Sequence, residues 1–95
     1  MFIVLPKYVK GLEEVDQHME AHKEFLDKYY QLSKFIVSGR RNPRVGGVIL
    51  VKAESEVEVL EIIKEDPFYQ NQVAEYEIIE FQPTKWDTRF EAFLS

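Results

Sequence analysis

The chain has 95 residues, 17 of them acidic against 12 basic, for a net charge of −5. Such a chain repels polyanions on average, which argues against a nucleic-acid binder. It holds no cysteine, so disulfides, thiolate nucleophiles and cysteine-ligated metals are excluded.

A hydrophobic content of 45%, with 14% aromatic residues, indicates a packed globule, and the length indicates one domain. No apolar run approaches the roughly 18 residues of a membrane span. The opening "MFIVLPKYVKGLEE" is too short for a signal h-region and lacks a basic start. A soluble, cytoplasmic protein with no membrane or nucleic-acid partner is the expectation.

In chain order, "MFIVLPKY" is β-rich and predicts a strand closed by Pro6. Gly11 breaks the chain. Over 12–33 the apolar residues Leu12, Val15, Met19, Leu26 and Tyr29 recur at three- and four-residue steps, which predicts one long helix. "KFIVSG" is a second strand ended by Gly39, and "RRNPR" is a turn marked by Asn-Pro. "VGGVILVKA" is a third strand, apolar almost throughout. Ser55 caps a second helix, "SEVEVLEIIKE", with Val59, Leu60, Ile62 and Ile63 as its apolar set and Asp66-Pro67 as its stop. "AEYEIIEFQP" alternates as a fourth strand that ends before Pro83. The last stretch carries Trp86, Phe90, Phe93 and Leu94. It is expected to pack on its own domain or on a neighbouring subunit. The chain thus divides into a domain over 1–86 and an aromatic tail over 87–95.

The order β-α-β-β-α-β is that of a ferredoxin-like α+β fold, an antiparallel sheet with both helices on one face. On the third strand Val48 and Leu50 point one way, Ile49 and Val51 the other. With both faces apolar, a second copy is expected over the open face, making a homodimer or a higher homo-oligomer.

Chemistry concentrates in three places. His18 and His22 are the only histidines. At about 100° per residue, His22 falls inside the apolar arc and His18 on its flank. An imidazole there needs a polar partner, because leaving it unpaired costs about 1–3 kcal/mol. It is either a core histidine satisfied by the backbone or a working group. A zinc clip has little support: Glu20 is not in the HExxH position and no third ligand is evident, so no metal is expected. Asp66 in "EDPFY" suits a helix N-cap followed by Pro67, and equally suits orienting a histidine. "SGRRNPRVGG" offers the Ser38 hydroxyl, the Gly39 backbone and the Arg44 guanidinium to an anion, or else is a solvated loop. Walker and dinucleotide fingerprints are missing, so no cofactor is expected.

The stretches "AHKEFLDKYY", "SGRRNPRVGGVILVKAES", "EDPFY" and "AEYEIIEFQPTKW" together resemble the YCII-related (YciI-like) family over about residues 1–86. The resemblance implies a dimeric α+β barrel and a pocket with a His-Asp dyad, matched here by His22 and Asp66. Ser38 falls where the family pocket is polar. After "SG" the family often has proline, and this chain has Arg40. The implied activity is cofactor-free acid/base chemistry, isomerase- or lyase-like by fold analogy. The expected substrate is small and anionic or phenolic, and Ser38, Gly39 and Arg44 are expected to bind it. The alternative is a non-catalytic dimeric module that holds a small ligand in the same pocket.

Overall fold

Phe2, Val4 and Pro6 are buried, while Ile3, Leu5 and Lys7 between them point the other way, so the first strand puts its bulk on one face. A computed structural model describes residues 1–94. Its elements are β1 (Phe2–Tyr8), α1 (Leu12–Gln17), α2 (Met19–Gln31), β2 (Phe35–Arg40), β3 (Gly47–Val51), α3 (Glu56–Ile63), α4 (Pro67–Gln70), β4 (Ala74–Glu80) and a closing 3-10 helix (Thr88–Phe93). The strands run antiparallel in the order β2-β3-β1-β4, and the helices cover one face, as the ferredoxin-like reading expects.

The core joins that face to the helices. Phe2, Val4, Phe35, Ile49 and Val51 pack against Phe25 and Tyr29 of α2 and Val59, Ile62 and Ile63 of α3. Each such side chain contributes about 1.5–3 kcal/mol by leaving water. A smaller cluster at one end gathers Val15, Phe68, Val73 and Ala74, with Tyr8 and Met19 against it. It fixes the short helices α1 and α4 beside the sheet.

The structure departs from the sequence reading at several boundaries. β1 runs through Pro6 to Tyr8, paired with β4 up to Tyr8↔Ala74. Its ladder with β3 ends at Val4↔Ile49, so the N–H that proline lacks is not needed there. The Pro6 carbonyl instead accepts from the Arg41 guanidinium at 3.1 Å. The expected long helix is two: the chain turns at His18 (φ −105°, ψ 5°), whose N–H reaches back to the Val15 carbonyl. Val15 is fully buried whereas Leu12 and Leu60 are exposed. Ser55 does cap α3, its hydroxyl accepting from the Glu58 N–H at 3.2 Å. β3 begins at Gly47, with Gly46 making only a single bridge to Lys7.

On the face away from the helices, Ile3 sits opposite both Leu50 and Ile79, and Leu50 opposite Val37. Val37, Val48 and Ile79 are exposed. Trp86, Phe93 and Leu94 line a shallow groove with Met1, Ala53 and Pro83; Ser95 lies outside the described residues. Among the described residues no helix is long and apolar enough to cross a membrane.

Candidate active site

α4 begins with a local signal, Asp-Pro. The Asp66 carboxylate oxygen Oδ1 accepts from the Phe68 N–H at 2.9 Å, and Pro67 takes the first helical position, where no N–H is required. Asp66 is fully buried. Besides capping, its Oδ1 lies 2.8 Å from His22 Nδ1, and its Oδ2 accepts from the Tyr76 hydroxyl at 2.6 Å. Three donors thus converge on one carboxylate, the acceptor-only group that such an arrangement suits. The cap of α4 and the contact with His22, which the sequence left as alternatives, are made by one side chain.

His22 stands on the first turns of α2, one turn after the break at His18. Its ring stacks on Phe68 with centroids 4.0 Å apart and planes 8° from parallel. The side chain is 12% exposed, and what it exposes lines a cavity of about 350 Å³. With Nδ1 donating to Asp66, a neutral ring keeps Nε2 as its acceptor. His18 is half-buried at the α1–α2 junction, and no group of three or more metal-ligating side chains forms among the described residues.

Burial foremost, and then the negative charge of Asp66, push the Tyr76 phenol well above the usual tyrosine range. A raised folded value means that the neutral phenol is favoured in the fold. Its contribution is intact below the ordinary tyrosine value of about 10 and is lost as pH rises beyond it. In an alkaline titration followed by tyrosinate absorbance, Tyr76 is therefore expected to ionise together with unfolding. Tyr76→Phe should remove one tyrosinate from that step. An undiminished step in the variant would contradict this.

Ser38, Gly39 and Arg44 all line the same cavity, as do Arg40 and Lys23. The Ser38 hydroxyl shares a 2.6 Å hydrogen bond with the Tyr30 hydroxyl. Arg44 donates from one η nitrogen to Asp16 of α1 at 2.5 Å, tying the β2–β3 loop to that helix. Arg41 turns away from the cavity and donates to the carbonyls of Pro6 and Gly47. The structure thus brings together His22, Asp66, Ser38, Gly39 and Arg44.

The model of the YCII-related domain matches residues 1–82 of the chain. The chain belongs to the YCII-related family. Among solved structures, this YCII-related chain is similar to 5-chloro-2-hydroxyhydroquinone dehydrochlorinase (TftG) from Burkholderia phenoliruptrix AC1100, in complex with 2,5-dihydroxybenzoquinone. The TM-score is 0.75 at 21% identity, over 85% of this chain and 92% of that one. At that identity the likeness is one of fold. A comparison with curated proteins gives no match.

Three residues around this cavity and carboxylate were not singled out by the sequence. Tyr76 was visible only as part of the alternating "AEYEIIEFQP", and Phe68 only as part of "EDPFY". Nothing local pointed to Asp16 as the partner of Arg44.

Proposed function

We propose that this YCII-related chain is an enzyme that moves a proton on a small anionic or phenolic ring compound through His22. The observation that carries the reading is the 2.8 Å contact between His22 Nδ1 and a buried carboxylate, on the wall of a ligand-sized cavity. Asp66 holds the ring in the tautomer whose Nε2 is basic, and its charge steadies the imidazolium that forms. Nε2 takes a proton from a substrate O–H or C–H, and the electron pair stays on the substrate as an enolate or phenolate. Returning the proton at another atom completes an isomerisation; departure of a leaving group completes an elimination. Ser38 and Gly39 donate to the developing oxyanion, and Arg44 binds the anionic substrate in the same cavity.

TftG is a dehydrochlorinase in complex with a dihydroxybenzoquinone. That supports a hydroxylated ring as the substrate class and a lyase-like step on this fold. We place the catalytic domain at 1–86, with 87–95 packing on it or on a neighbour, and assign the protein to the cytoplasm, which the lack of cysteine suits.

The exposed Val37, Val48 and Ile79 support a homodimer in which two sheets meet face to face. Sedimentation at micromolar concentration should give twice the chain mass; a monomer would remove the dimer. The test of the enzyme reading is a screen of hydroxylated and anionic ring compounds with wild type and His22→Ala. Turnover lost in the variant upholds it, and equal turnover ends it.

A further inference from the structure

We infer that the cavity is built to take a ring-bearing organic carboxylate, with the acid group on Arg44 and Arg40 and the ring against Phe68 and Leu26. This deepens the proposed function, and it rests on that reading only for the end of the ligand that faces His22.

The first observation is charge. The cavity walls include Lys23, Arg40 and Arg44 and not one aspartate or glutamate, in a chain with 17 acidic residues against 12 basic. Cations gathered in a concave, partly apolar site concentrate the field on an anion. Lys23 has only a loose 3.6 Å contact with Glu20, both well exposed, and Arg40 has no ion-pair partner among the described residues.

The second observation is an unmet donor. Arg44 Nε is buried without a hydrogen-bond partner, whereas an η nitrogen of the same guanidinium is pinned by Asp16. The Arg44 side chain as a whole is 27% exposed and lines the cavity, so part of its guanidinium is open to a ligand. The pinning holds the planar fork in place, so an incoming acceptor meets a fixed group. A carboxylate answers both needs, since it supplies an acceptor and balances the charge. A neutral phenol supplies only the first.

The third is shape. Pro6, Met19, Leu26, Val48, Ile49 and Phe68 give the remaining walls an apolar surface. The volume of about 350 Å³ lies at the small end of ligand pockets and fits a single ring.

The experiment titrates benzoate and its neutral isostere benzamide into wild type, Arg44→Gln, Asp16→Asn and His22→Ala. Binding is followed by the Arg44 Nε–H resonance where Arg44 is present and by calorimetry throughout. Wild type should bind benzoate at least about tenfold tighter than benzamide, the range that a charge-assisted bond supplies. The Nε–H resonance should move downfield. Arg44→Gln should collapse the preference to below about threefold, and Asp16→Asn, which releases the anchored guanidinium without removing it, should weaken benzoate binding. Benzamide matching benzoate on wild type, undetectable benzoate binding, or a preference untouched by Arg44→Gln would overturn the inference. His22→Ala separates the two readings. A kept preference with lost turnover upholds both. A kept preference with unchanged turnover removes the acid/base reading alone and leaves the carboxylate site standing.

Discussion

Asp66→Ala is expected to lower folding stability by about 3–5 kcal/mol, the cost of breaking a buried charged cluster by deleting one partner. The carboxylate is fully buried and answers the Phe68 N–H, the Tyr76 hydroxyl and His22 Nδ1. Removing it empties a helix cap, worth about 1 kcal/mol, and strands buried donors at about 1–3 kcal/mol each. The donors are neighbours, so these costs do not simply add. For a domain holding some 5–15 kcal/mol in all, the loss is severe. His22→Ala should behave differently. It leaves Asp66 with its other two donors but deletes a mostly buried ring stacked on Phe68, so stability should fall by about 1–3 kcal/mol while turnover falls about 10²–10⁴-fold. Urea unfolding of the two variants, read beside their activities, checks the contrast. Wild-type stability in Asp66→Ala would refute the three-donor account.

Gly46→Ala is expected to be nearly as damaging, for a reason of space alone. A Cβ at Gly46 would sit 2.0 Å from the Pro6 carbonyl oxygen and 3.0 Å from Lys7 Cα, both backbone atoms of a strand inside the sheet. Neither can swing aside, so the loop must lift. That opens the bonds from Tyr8 N–H to the Val45 carbonyl and from Arg41 N–H to the Gly46 carbonyl. Overpacking of this kind costs about 2–3 kcal/mol. In a chain this short, that lowers the thermal midpoint by roughly 10–20 °C. Gly47→Ala is the control: its Cβ would meet the Gly39 carbonyl at 3.1 Å, a crowding that a small shift relieves. Equal melting of Gly46→Ala and wild type would mean that the loop does not pack on β1 as described.

The sheet was readable because alternation and turn residues are local signals, and the order of elements allowed few topologies. Local signals also explain what was missed. The apolar spacing of Val15, Met19, Leu26 and Tyr29 runs through His18 unchanged, and neither Gly11 nor His18 makes a side-chain cap, so nothing marked the break between α1 and α2. Pro6 looked like a terminus because the sequence does not tell which flank of a strand has lost its partner. In the site, Asp66 announced itself as a cap through Asp-Pro, and His22 as an inward residue through its helical phase. Their meeting spans 44 positions and depends on how α2 and α4 dock, as does the reach of Tyr76 to the same carboxylate. Arg44 was legible as a cation near a glycine turn, but its attachment to Asp16 was not, since that bond crosses from a loop to another helix.

The shared duty of Asp66 bears on how other chains of this architecture should be judged. Selection for mere foldedness would retain an aspartate there even after a lineage had given up its reaction, because the helix start and the neighbouring phenol still require it. Retention of that acid in a diverged homologue is thus poor testimony of activity.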